Sequence, residues 1–326
     1  MKDYRVHYQY KCNSLKNSLV SLDVENKNER YILYGSSNGI IAVFDSFSLD
    51  SVFEQKYTGY PSINDVSWMK YDNGIFSFSS NTGDICFVSS RSPEKILKHV
   101  KCDYVVHSIG FNYLNPVLIA TQDNGRARII DIREAISLLS INTNRNHSVI
   151  SNSWSTTNEN LLVIGDSAGF MYLFDTRNPN KYIYEFDWWK SSLDSPNMNQ
   201  PSNESSIINI FFNKSGRELY SVSQYGVVRG WSPDSGLSIM KEYRTETLKE
   251  ETRIKCSFID GYIALPKHNS IYWPELDITI AGHLKSVRYI LPTYEGFVSL
   301  GNDNILNIWN KSDQIVQHED FSDWSD

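Results

Sequence analysis

Cysteine is scarce in this 326-residue sequence, with four residues at Cys12, Cys86, Cys102 and Cys256. In an unsecreted chain of this size, so few thiols read as reduced rather than as a disulfide framework. The start, MKDYRVHYQY, has no apolar core of the kind a signal peptide needs. Long hydrophobic runs are missing too. The longest stretch free of Asp, Glu, Lys and Arg is Tyr104 to Gln122, and it contains His107, Asn112, Asn115 and Pro116, which excludes a membrane-spanning helix. The expectation is an intracellular, soluble protein. Positive charge is in deficit, 31 Lys and Arg against 38 Asp and Glu for a formal charge of −7. That sign excludes a strongly basic nucleic-acid groove, and no basic import cluster is visible. There is no Walker A or dinucleotide glycine pattern, so no cofactor is expected.

Aromatics are plentiful, with 20 Tyr, 15 Phe and 8 Trp, and the chain is 40% hydrophobic and 21% charged. That is ample for a core, and aromatics favour the pleated faces of strands. One unit recurs along the chain: strand, polar turn, strand, tight turn, and a third strand ending near an acid. Its instances are SLVSLDV…RYILYGSSNGIIAVFD (18–45), INDVSWM…GIFSFSSNTGDICFVS (63–89) and VVHSIGF…PVLIATQDNGRARIID (105–131). They continue as VISNSWS…LLVIGDSAGFMYLFD (149–175), IINIFFN…ELYSVSQYGVVRGWS (207–232), IKCSFID…YIALPKHNSIYWPE (254–275) and SVRYILP…GFVSLGNDNILNIWN (286–310). The closing positions Asp45, Ser89, Asp131, Asp175, Ser232 and Asn310 lie 44, 42, 44, 57 and 78 residues apart, the last interval holding two units. A period near 40–45 with four strands per unit is the signature of a β-propeller, here all-β with seven blades. Gly39, Gly83, Gly125, Gly169 and Gly226 each stand six residues before a closing position, where a tight hairpin needs a positive φ. The expected blades lie near 18–59, 63–100, 105–142, 149–188, 207–244, 254–282 and 286–310. The sixth lacks the glycine. Closure of the ring needs one more strand, since an open blade leaves an unpaired edge. Tyr4 to Lys11 alternates well enough to supply it, and Gln314 to His318 is the shorter, more polar competitor.

Over nearly its whole length the chain resembles the WD-repeat family. The matching marks are Phe44-Asp45, Ile130-Asp131 and Phe174-Asp175, the tryptophans Trp231 and Trp309, and Gly282-His283. Within that family it resembles the Cockayne syndrome A proteins and their fungal counterparts. The likeness lies in SLVSLDVENKNERYILYGSSNGIIAVFD, VSWMKYDNGIFSFSS, IINIFFNKSGRELYSVSQYGVVRGWSPDSG and ITIAGHLKSV, with the acidic end EDFSDWSD (318–326 forming a tail). The resemblance implies a nuclear substrate receptor of a cullin-RING ubiquitin ligase in transcription-coupled nucleotide excision repair. Its implied partners are the ligase adaptor, a Swi/Snf-type repair ATPase and RNA polymerase II. The animal members carry a helical segment ahead of the propeller that helps dock on the adaptor, whereas three residues precede Tyr4 in this sequence.

Two patterns that suggest chemistry have plainer readings. Gly165-Asp166-Ser167-Ala168-Gly169 matches the G-x-S-x-G nucleophile elbow, which requires a strand-to-helix turn. The alternating FMYLFD follows instead, and Gly35-Ser36-Ser37-Asn38-Gly39 repeats the pattern at the same offset, so both are expected to be turns. Cys86, His99, Cys102 and His107 are spaced loosely like zinc ligands, but they fall on strands of neighbouring blades, and no metal site is expected. No catalytic constellation emerges, and the chain reads as a non-enzyme.

Two features point to partners. Ile130-Asp131-Ile132-Arg133 and Phe174-Asp175-Thr176-Arg177 end consecutive blades and place both arginines on one face. Each arginine either pairs with its own blade's acid or docks a partner. The tetrads resemble the W-D-x-R boxes by which propeller receptors dock on the damaged-DNA-binding large subunit of cullin-RING ligases. The second feature is an inserted polar loop, 187–206 (DWWKSSLDSPNMNQPSNESS), with Trp188 and Trp189 at its root. Adjacent strand residues face opposite ways, so one Trp fills a gap and the other is either covered by the loop or exposed as a binding anchor. The rival classes are a generic scaffold of another complex, such as chromatin or RNA processing, and an enzyme using the propeller channel.

Overall fold

The computed structural model describes residues 4–11, 19–70, 72, 74–190, 200–245 and 253–311. Seven four-stranded antiparallel sheets form the blades of one ring: 19–56, 63–101, 106–142, 149–185, 207–244, 257–281, and 287–311 completed by Tyr4–Lys11. Within each blade the strands run from the central channel to the rim in chain order, and the aliphatic and aromatic residues between neighbouring blades make the core. The cluster of Leu33, Val43, Ile63, Trp68 and Phe78, for example, joins blades 1 and 2.

The ring is closed by the N-terminal strand, as its alternation predicts. Tyr4–Lys11 pairs antiparallel with Ile305–Lys311, from Tyr4 opposite Lys311 to Lys11 opposite Ile305. The competing segment 314–318 and the tail lie outside the described residues. A bulge between Val6 and Tyr8 gives this strand a second role. Tyr4, Val6, Tyr8 and Tyr10 share one parity, so a regular strand would aim them all at one side. Because the bulge inserts His7, Tyr4 and Val6 pack into the core shared by blades 6 and 7. Tyr8 and Tyr10 turn to blade 1, with ring centroids 6.0 and 4.9 Å from Phe44. One strand thus ties three blades.

The tight turns follow the glycine spacing. Gly39, Gly83, Gly125, Gly169 and Gly226 all have φ between +66° and +91°. Blade 7 uses Asn304 at the corresponding place (φ +58°), a residue that tolerates the left-handed region. Blade 6 turns through His268 (φ +49°), and its third strand ends at Trp273. In blade 7, His283 Nδ1 lies 3.2 Å from Asp303, Nε2 lies 2.8 Å from Ser299 Oγ, and Trp309 Nε1 donates to the same Oγ at 2.8 Å. Burial pulls the His283 pKa down against the opposing pull of Asp303. In blade 5 Asn203 Nδ2 takes the place of the histidine, donating to Ser221 Oγ at 2.8 Å, while Trp231 Nε1 donates to it at 2.9 Å. A polar residue that reads as loop is therefore buried, as is Ser202 beside it.

Candidate functional site

In these up-and-down blades the turns between first and second strands, and between third and fourth, share one face of the ring. The remaining turns form the opposite face. Asp131 ends the third strand of blade 3, and its Oδ1 accepts the Arg133 backbone N–H at 2.8 Å. This is an Asx-type turn, and it aims the arginine back at the same carboxylate. Arg133 Nε reaches Oδ1 at 3.3 Å and Nη2 reaches Oδ2 at 2.9 Å. Blade 4 repeats the construction. Asp175 Oδ1 accepts the Arg177 N–H at 2.9 Å, and Arg177 Nε and Nη2 meet the carboxylate at 3.0 and 2.6 Å. Both arginine side chains remain about 70% exposed, while their aspartates are largely covered. The hydrogen bonds from Arg133 and Arg177 hold the pKa values of Asp131 and Asp175 below the usual carboxylate range. Exposed pairs of this sort add little to folding stability. Their chemical consequence is preorganisation, because each guanidinium is held in one rotamer while its outer edge faces solvent.

Arg91 and Arg30 occupy the same face, and Arg217 is exposed there too, in the turn between the first two strands of blade 5. Arg91 is exposed two residues beyond Ser89, the offset of Arg133 and Arg177, and that offset is the signal that identifies it. In blade 1 the position of the box arginine holds Phe47, yet Asp45 still binds a guanidinium. Arg30 approaches from the turn between the first two strands, with Nε 2.8 Å from Asp45 Oδ1. Its guanidinium carbon lies 5.1 Å from the Phe47 ring centre and 5.2 Å from that of Tyr31. No local pattern marks Arg30, because its acid is 15 residues away in sequence.

Trp188 and Trp189 are on the opposite face, so the sequence-predicted residues divide into two groups. Trp188 packs edge-on against Trp231 (centroids 5.5 Å apart), beneath the guanidinium of Arg229 at 4.5 Å. Trp189 is 64% exposed. Arg229 is buried and also donates to the Ser202 carbonyl at 2.8 Å and to Glu242 at 3.0 Å. Residues 191–199 between these anchors lie outside the described residues.

Ser167 lies in the turn that leads into the strand Met171–Asp175, so the local geometry is that of a hairpin and not of a nucleophile elbow. Cys86 and His99 are register partners on neighbouring strands of blade 2, and His99 Nε2 is 2.7 Å from Asp84. His107 instead meets Asp123 at 2.8 Å. Burial raises the pKa of Cys86 to about 12 and of Cys102 to about 11; Cys12 lies outside the described residues. The central channel holds a cavity of about 570 Å³ lined by the acidic turn residues Glu25 and Glu29 and by two acids on strands, Asp23 and Asp65. Both have cations close by: Lys70 lies 3.1 Å from Asp23, and Lys255, reaching across from blade 6, lies 3.2 Å from Asp65. Burial would raise the Asp23 pKa, but Lys70 and Lys255 outweigh it and lower it.

The comparisons with known proteins bear on this geometry. No protein-family model matches the sequence. Among characterised proteins, radiation-sensitive protein 28 of Saccharomyces cerevisiae is 22% identical over 204 residues. The chain is distantly similar to that yeast protein. The match covers 56% of this chain and 39% of the yeast protein, so the chain spans about two fifths of its relative's length. The chain is thus a seven-bladed propeller with a distant likeness to radiation-sensitive protein 28. Degenerate repeats accompany this distance: the His-Ser-Trp network stands in blade 7, and blade 5 replaces its histidine with Asn203.

Proposed function

We propose that this protein is a non-catalytic docking platform of transcription-coupled nucleotide excision repair, acting in the nucleus as substrate receptor of a cullin-RING ubiquitin ligase. The observation that carries the reading is the pair of identical boxes, Asp131–Arg133 and Asp175–Arg177, presented on one face of consecutive blades. Preorganised, solvent-facing arginines are the residues that become energetic anchors in protein interfaces. The likeness to a yeast protein named for radiation sensitivity supports the repair assignment. In this reading the arginine face binds the ligase adaptor. The opposite face, with Trp189 at its surface and Trp188 bracing it from below, is left for the Swi/Snf-type ATPase and RNA polymerase II.

Affinity purification from cells before and after ultraviolet irradiation tests the proposal. Wild-type protein should recover cullin, adaptor, polymerase and repair-ATPase peptides, and the Arg133→Ala/Arg177→Ala protein should lose cullin and adaptor. Recovery of chromatin or RNA-processing subunits in place of all four contradicts the repair reading. Retention of polymerase and ATPase without cullin contradicts the ligase part alone.

A further inference from the structure

The arginines are unevenly distributed around their face. Blades 1 to 4 present Arg30, Arg91, Arg133 and Arg177 in succession, on a chain whose net charge is −7. In blade 5 the residue two positions past the closing Ser232 is the exposed Asp234, although Lys214 and Arg217 are exposed in the other turn that blade 5 presents on this face, and in blade 6 the exposed Glu275 follows the third strand. An arginine in the turn after the third strand, or one paired with the aspartate that ends that strand, thus stands on each of blades 1 to 4 and on neither blade 5 nor blade 6.

At the blade 1 end of the arc lies an aromatic group with no counterpart on blades 3 and 4. Tyr294, in the turn between the first two strands of blade 7, is 73% exposed, and its ring meets Phe47 edge-on with centroids 5.8 Å apart. Phe47 is itself 45% exposed and lies against Arg30. The Tyr294 backbone N–H donates to the Glu29 carbonyl at 3.2 Å, next to Arg30 in sequence, which locks the two turns together. Arg30 is held by Asp45 as Arg133 and Arg177 are held by their own aspartates, and the hydrogen bond from Arg30 lowers the Asp45 pKa. Large exposed aromatics beside a preorganised arginine have the composition of an interface centre rather than of ordinary surface.

From this juxtaposition we infer that the docking face does not end at blades 3 and 4. It runs through blade 2 to a third arginine–aspartate box, Arg30–Asp45, and to an apolar anchor formed by Tyr294 and Phe47. Its occupant is a folded protein that sets hydrogen-bond acceptors against the outer edges of these guanidiniums and an apolar side chain against Tyr294. Nucleic acid fits less well, because three of the four guanidiniums already share a carboxylate, which reduces their attraction for a phosphate backbone.

The inference rests on reading the arginine face as the adaptor-binding surface, and a titration with purified ligase adaptor separates the two claims. Arg30→Ala and Tyr294→Ala should each weaken binding about tenfold or more, whereas Met240→Ala, on the rim of blade 5, should leave it unchanged. Raising the salt concentration should weaken wild-type binding more steeply than that of Arg30→Ala. Binding that responds to Arg133→Ala/Arg177→Ala but not to Arg30→Ala or Tyr294→Ala overturns the extension and leaves the adaptor reading standing. No binding by the wild-type protein overturns both. If Arg30→Ala proves unstable because it strips Asp45 of its partner, Tyr294→Ala decides alone, since that side chain lies mostly in solvent.

Discussion

Replacing Tyr4 should open the ring. Tyr4 is 6% exposed, stacks near Trp273 of blade 6 (centroids 6.4 Å), meets Phe297 of blade 7 edge-on at 5.0 Å, and donates its hydroxyl to Asp260 Oδ2 at 2.6 Å. Tyr4→Ala removes a buried aromatic ring and this hydrogen bond together. Truncating a buried aromatic residue costs about 3–5 kcal/mol, and the hydrogen bond adds about 1 kcal/mol. The expected loss is about 4–6 kcal/mol, a large fraction of the stability of an ordinary domain. Tyr4→Phe keeps the ring, and Asp260 keeps Lys311 at 2.6 Å, so this substitution should cost only about 1 kcal/mol. Gln9→Ala, on the exposed side of the same strand, should fall within about 0.5 kcal/mol of wild type. Urea unfolding followed by tryptophan fluorescence and far-UV circular dichroism measures all three. Coincident transitions show that the ring unfolds as one unit. A Tyr4→Ala protein as stable as wild type refutes closure by this strand.

Gly169→Val should destabilise by about 3 kcal/mol or more, because Gly169 sits at φ +91° and an added Cβ would overlap the Asn203 carbonyl oxygen. Ser167→Ala should be silent in both stability and esterase assays, and an esterase activity lost with it contradicts the hairpin reading. His283 should make stability pH-dependent. Unfolded, its imidazole takes up a proton near its ordinary pKa of about 6.5; folded, burial keeps it neutral to lower pH. Its contribution is therefore complete above that value and declines as pH falls through it. The wild-type urea midpoint should drop more between pH 7.5 and 5.5 than that of His283→Gln, and equal drops contradict this reading of the blade 7 network.

Most of the ring is legible in the sequence because five hairpins need a positive φ, and glycine supplies it at a constant distance from the strand end. Blade 6 escapes that reading because His268 makes its turn. The closing strand is legible from its alternation, but its double role is not, since a one-residue bulge at His7 reverses which neighbour each tyrosine meets. In the candidate site, Arg133 and Arg177 stand out because donor and acceptor are two residues apart. Arg30 does not, because its carboxylate arrives through the fold. The stretch after Trp189 is polar enough to read entirely as loop, yet Ser202 and Asn203 are buried in it, Asn203 standing in for a histidine. Composition reports average solvation and misses a single satisfied polar core position.

The central claim is that a propeller face carrying paired, preorganised arginines docks a ubiquitin-ligase adaptor. The most direct measurement is the affinity of purified adaptor for the wild-type protein and for Arg133→Ala/Arg177→Ala, with urea unfolding of both as the control for folding. The account predicts specific wild-type binding that weakens at least about thirtyfold in the double variant, with the unfolding midpoint nearly unchanged. Equal affinity for the two proteins, or no wild-type binding at all, contradicts it.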